Sequence, residues 1–258
     1  MPESVFYVAT HADDALMFRG EGLFSDLHTH GVTIVHVLVS AGDAGRTDGW
    51  WEARETGCVE ALAGSVTPVA TPSAQVTVNG HALQRHSGPG WDCYCLRLPD
   101  GNLDGNGFDA TGNRTLTKLR AGQIPSLTAI DGSTTYRGWA DLVATLRAVV
   151  ASQRGTTAHP WINTSDPDAA LNPRDHPDHY AVAAAVQDFA AADLLNRLWW
   201  VSYDVRDRVP NLAGYALDIK WFLCRLYGWA VDDLTTTPPN DREWQWWGDR
   251  SYSRAEPA

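Results

Sequence analysis

The 258 residues read as one α/β domain, a mostly parallel sheet with helices on both faces. Three observations predict this. The apolar, strand-favouring run Val5–Ala9 stops at a polar loop, and small and apolar residues then begin a helix at once. Val32–Val39 is a nearly continuous apolar run, the mark of a strand buried on both faces. Far downstream, residues 158–164 and 176–194 repeat the order strand, polar loop, helix. A chain of this length can bury a sizeable core.

Taken in order, the first strand ends at Thr10-His11-Ala12-Asp13-Asp14. Ligands in open α/β sheets collect beyond the carboxyl ends of the strands. A lone Asp there would be an N-cap; two beside a His leave one carboxylate without a capping task. Met17 to His30 is expected to be helical, with Gly31 as its stop. Within the second strand, His36 reads as a satisfied core histidine. A glycine-rich loop spans Ser40 to Gly49, and Trp50 to Leu62 forms the next helix.

Residues 65–90 read as an irregular insertion, with a possible hairpin turn at Asn79-Gly80. Trp91–Leu98 returns as a strand closed by Pro99-Asp100-Gly101. Asp100 suits a turn, but its place at a strand's carboxyl end favours a role in a site. Residues 102–135 are polar, glycine-rich and weakly periodic, hence a lid or rim. Tyr136 to Ser152 has helical spacing of its apolar residues. Ala158 to Thr164 is a short strand, after which Pro177 suits the first turn of a helix that carries His176 near its cap and His179 in the same turn. Leu198–Tyr203 is expected as the last strand and Tyr215–Tyr227 as a late helix. The tryptophan-rich tail (Trp244, Trp246, Trp247) reads as a packed cap rather than a sugar-stacking platform.

His11, Asp14 and His179 thus form a His/His/Asp set with a fourth position open to water, the pattern of a catalytic zinc. The net charge of −11 argues against nucleic acid or an anionic membrane as partner. No apolar run spans a bilayer, and none reads as a signal peptide. Of the four cysteines, Cys93 and Cys95 are expected to alternate across a strand, and no metal-type C-x-x-C pair occurs. A reducing, cytoplasmic setting is expected.

The chain resembles the PIG-L/LmbE-like zinc-dependent N-acetylglucosamine deacetylases. The resemblance rests on His11-Ala12-Asp13-Asp14, where the family has His-Pro-Asp-Asp, and on His176-Pro177-Asp178-His179. Gly42-Asp43-Ala44-Gly45, Arg54-Glu55, Leu98-Pro99-Asp100-Gly101 and Lys220 also match in order. The resemblance implies a Rossmann-like single domain, 1–258, with insertions at about 65–90 and 102–135. It implies one Zn2+ (or iron) on His11, Asp14 and His179, with Asp13 as general base and His176 stabilising the oxyanion. Arg54, Asp100 and Asp178 would bind substrate or support these groups, Asp178 by orienting His176. Arg174 stands where some members carry a Tyr.

The expected reaction removes an N-acetyl group from an amino sugar on a larger aglycone, as in the antibiotic-tailoring members. The insertions and twelve tryptophans suggest that size. A zinc amidase on a non-sugar amide and a non-catalytic carbohydrate-binding protein are the alternatives. A dinucleotide-binding oxidoreductase is disfavoured, since no G-x-G-x-x-G follows the first strand.

Overall fold

The computed structural model describes residues 3–66, 71–235 and 241–258, with side chains from 244 onward in the last segment. The amino-terminal half runs β1 (Glu3–Ala9), α1 (Asp14–Leu27), β2 (Val32–Ser40), α2 (Trp50–Val66), β3 (Ser73–Val78), β4 (His81–Gly88) and β5 (Trp91–Leu98). Next come α3 (Leu116–Arg120), the two-residue strands β6 (Leu127–Thr128) and β7 (Thr135–Tyr136), and α4 (Trp139–Gln153). The rest is β8 (Trp161–Ser165), α5 (Pro177–Ala190), β9 (Asn196–Trp200), α6 (Gly214–Leu234), α7 (Asp241–Trp247) and β10 (Ser253–Glu256).

The main sheet has the order β10-β9-β8-β1-β2-β5-β4-β3. Its five central strands are parallel, and antiparallel strands border it on both sides. β1 pairs with β2 on one side and β8 on the other. The chain therefore reverses its direction of winding at β1, and a crevice opens beyond the ends of β1 and β8.

Alternation along β1 feeds two cores. Phe6 and Val8 join Leu142 and Leu146 of α4 and Val182 and Val186 of α5. Val5, Tyr7 and Ala9 join Leu16 of α1, Leu62 of α2 and Leu223 of α6. This is the single α/β domain with helices on both faces that the patterning predicts.

Several elements differ from expectation. α1 closes at Leu27, and Gly31, at φ 84°, makes the turn into β2. Asn79 (φ 51°) and Gly80 (φ 81°) both adopt the left-handed region, as a two-residue hairpin turn demands. Residues 67–70 of the first insertion lie outside the described residues. The stretch 102–135 is not merely a rim: Leu116, Leu119 and Leu127 are buried in the α4–α5 core. Their spacing is too broken for a periodicity reading to catch. α6 continues a further seven residues beyond Tyr227, to Leu234, and β9 is not the last strand, because β10 pairs antiparallel to it. No helix among the described residues is long and apolar enough to cross a membrane.

Candidate metal centre

The loop after β1 is folded back on itself by one bond: His11 N–H donates to Asp14 Oδ2 at 2.7 Å. That places the first helical residue, Asp14, beside the imidazole that precedes it. From the far side of the crevice, the start of α5 brings in His179. Its Nε2 lies 3.2 Å from Asp14 Oδ2 and 3.2 Å from His11 Nδ1, while His11 Nδ1 lies 3.6 Å from Asp14 Oδ2. All three residues are buried, His179 completely. The sequence-predicted trio therefore converges from 168 positions apart.

The electrostatics of the trio favour positive charge at its centre. Burial opposes charge on His179, but Asp14 and Asp175 outweigh it and hold the imidazole well above its usual range. Burial likewise pushes Asp14 up, yet His179 and His11 pull it well below a normal carboxylate. His11 is raised on balance, its desolvation outweighed chiefly by Asp14.

Sequence reasoning missed Asp175. Its Oδ1 lies 2.6 Å from His179 Nδ1, so it holds the proton on that nitrogen and leaves Nε2 facing the centre. The signal was present, an Asp four residues before a candidate ligand, but the intervening Pro177 hides that they share a turn. Two imidazoles, one carboxylate and a carboxylate behind one imidazole fit a divalent cation with open positions, zinc first among them.

The other site residues surround this trio. Asp13 points into the crevice, and Arg54 Nη2 donates to its Oδ1 at 2.6 Å. Arg54 is in turn fixed by Gly42 O at 2.8 Å and the Tyr227 hydroxyl at 2.9 Å. A Cβ on Gly42 would stand 2.2 Å from Arg54 Nη1, so the glycine clears the guanidinium's path. Arg54 thus ties Asp13 to α2 and, through Tyr227, to α6. Asp100 sits with Oδ2 4.0 Å from His11 Nε2 and Oδ1 3.8 Å from His176 Nε2, its own N–H held by Asp43 at 2.8 Å.

His176 caps α5, its Nδ1 accepting from Asp178 N–H at 3.2 Å. The expected Asp178 carboxylate–His176 bond is absent. That carboxylate instead receives Gly101 N–H at 2.7 Å, because the helix turns its side chain toward the β5 loop. Burial and neighbouring charges push His176 down to about 2, while burial raises Asp178 to about 7. His11, Asp100, His176 and Asp178 also form a close donor group, sharing His11 with the trio.

Arg174 is turned away, 65% exposed in its side chain and paired with Asp204 and Asp207. Tyr203 stands by the centre, its ring 5.3 Å from His179 and 6.2 Å from His176, stacked on Trp247 at 5.0 Å. Trp247 is packed as a cap should be, but it and Trp244 also line the cleft, so the tail is wall as well as lid of the core. Lys220 is not in the site: it is wholly buried and donates to Trp247 O at 2.9 Å and Arg250 O at 2.6 Å.

The cleft above the centre has a volume of about 610 Å³. It is lined by His11, Asp13, Asp14 and His176, by the aromatic residues Trp50, Trp221, Tyr227 and Trp229, and by Asn102, Leu103 and Phe108. The overall fold of the chain is found in solved structures. The zinc-inhibited form of the teicoplanin deacetylase Orf2 is 15% identical, with 89% of this chain and 84% of that chain covered at a TM-score of 0.50. A deacetylase complex from the biosynthesis pathway of teicoplanin is 16% identical, with 98% and 96% covered at a TM-score of 0.51. The chain has the fold of these deacetylases. A triple mutant in the same pathway aligns at 15% identity over 90% of this chain and 84% of that one, with a TM-score of 0.51. No family model and no curated protein sequence matches the chain.

Proposed function

We propose that the chain is a metal-dependent N-deacetylase of the PIG-L/LmbE-like kind, acting on an N-acetylated amino sugar. The observation that carries this is the meeting of His11, Asp14 and His179 at the reversal point of the sheet, with Asp13 beside them but outside the donor trio. The fold shared with teicoplanin deacetylases supports the same reading. His11, Asp14 and His179 would hold the metal, and Asp175 would orient His179. A zinc ion bound there would supply a water of lowered pKa and a Lewis acid for the acetamide oxygen.

The chain's own groups do the rest. Asp13, with one oxygen engaged by Arg54, accepts the proton of the attacking water and returns it to the departing amine. His176, with Nδ1 engaged by Asp178 N–H, presents Nε2 to the oxygen on which charge develops. Asp100 Oδ1 lies 3.8 Å from that nitrogen, beyond hydrogen-bond distance. Arg54 keeps Asp13 aimed.

The aromatic walls and the 610 Å³ volume favour an N-acetylglucosaminyl conjugate over the free sugar, since a monosaccharide would leave most of this surface uncovered. The test is mass-spectrometric loss of an acetyl group across N-acetylglucosaminyl conjugates, free N-acetylglucosamine and non-sugar acetamides. Turnover confined to the non-sugar amides would replace this reading with a zinc amidase. No turnover with bound metal would favour a sugar-binding protein.

A further inference from the structure

On the α2 side of the sheet, apart from the candidate reaction centre, lies a second group of soft donors that the proposed reaction leaves unused. β2 and β5 are adjacent, and their register sets His36 opposite Cys93. Cys58 comes down from α2, and Cys95 lies on the same face of β5 as Cys93. The two β5 thiols therefore do not point to opposite faces, as the sequence reading had them: residues two apart on a strand share a side. His36, Cys58 and Cys93 have no exposed surface, and Cys95 is 2% exposed.

His36 Nδ1 is 3.9 Å from Cys93 Sγ, and Cys93 Sγ is 3.9 Å from Cys95 Sγ. Donor atoms of His36, Cys58 and Cys93 all lie within 4.8 Å of one another. His36 Nε2 is buried without a hydrogen-bond partner, so this is not the satisfied core histidine its sequence position suggests. We propose that His36, Cys58 and Cys93 form a second, structural metal site for a thiophilic cation, zinc(II), with the Cys95 thiol against Cys93 at its edge. The inference is independent of the deacetylase reading.

The separations suit that ion. With Zn–S near 2.3 Å, two thiolates on one tetrahedral zinc lie about 3.8 Å apart. The donor set is wholly buried and rich in sulfur, as structural rather than catalytic sites are. Binding would release the thiol protons, as metal binding to cysteine requires. A neighbouring group, Glu55, His86 and Cys95, also gathers donors. There the cation's place is taken: Arg97 donates to both Glu55 oxygens, at 2.6 and 2.8 Å. Among the described residues no arginine or lysine bonds His36, Cys58 or Cys93. The rival account is three ordinary core thiols sharing weak hydrogen bonds with an imidazole.

The test uses the whole chain produced in cobalt-supplemented medium. A thiolate-to-cobalt charge-transfer band in the near ultraviolet is expected, with about two metal ions per chain. Cys58→Ser/Cys93→Ser should lose the band and one ion, whereas His179→Ala should keep the band and lose the other. One ion per chain with no charge-transfer band would overturn the proposal and leave the first site untouched. So would a band that disappears in His179→Ala. If the double variant does not fold, X-ray absorption at the zinc edge of the wild-type protein decides. A sulfur shell at about 2.3 Å supports the site, and nitrogen and oxygen scatterers alone refute it.

Discussion

At the scale of single residues, the proposed reading separates metal holding from proton transfer. Replacing His179 by Ala should strip the metal, checked by metal analysis of the purified protein; full retention would refute the trio. Asp13→Asn should keep the metal yet lose about 10²–10⁴ in kcat, the usual cost of removing a general base. Asp175→Asn is expected to weaken metal binding about 10–100-fold, because the imidazole it orients loses its fixed tautomer. Competition titrations with a chelator measure that directly. Protons compete for the same donors, and His11 and His179 are both raised by their carboxylate neighbours. Apparent zinc affinity should therefore fall as pH is lowered through neutrality, with the protein still folded.

At the scale of elements, the stretch 102–135 has two parts with different roles. Leu116 is fully buried against the α4–α5 core, so Leu116→Ala should cost about 2–5 kcal/mol in urea unfolding. Leu103 is 73% exposed at the cleft mouth, so Leu103→Ala should leave stability unchanged. It should raise KM for a large conjugate more than for the free sugar. Equal kinetic losses on both substrates would assign that edge to folding instead. α6 meets the chain's end through Lys220, whose burial lowers it from 10.5 to about 8. Between those values the unfolded chain binds more protons, so stability gains from this group as pH rises from 8 toward 10. Lys220→Met should remove that gain and strand the Trp247 and Arg250 carbonyls, costing about 1–3 kcal/mol. Comparing urea midpoints of both proteins at pH 8 and pH 10 tests this: the gap between them should widen with pH.

At the scale of the whole molecule, the reversal of winding at β1 positions the candidate centre. β2 and β8 flank β1, so the loops after β1 and β8 face each other across the crevice and α1 and α5 both start there. Each helix start favours ionised carboxylates through its dipole. α6 and α7 then add aromatic walls that no sheet strand supplies. The result is a polar floor under an apolar cleft.

The alternation of apolar and polar runs was enough to give the α/β class, the parallel central strands and the helix that carries His179. The clusters at His11 and His176 were legible because metal chemistry needs a few residue types concentrated at strand ends and helix starts. What stayed hidden were pairings set by distance in space. Asp175 behind His179, Tyr227 behind Arg54 and Gly101 on Asp178 depend on how loops from different strands meet. The same holds for Leu116 and Leu127, made core by what packs over them rather than by their own spacing. It holds again for His36, Cys58 and Cys93, which three separate elements deliver to one buried point. Local pattern is written by hydrophobic period along the chain; proximity between distant residues is fixed only when the sheet order and the helix packing are.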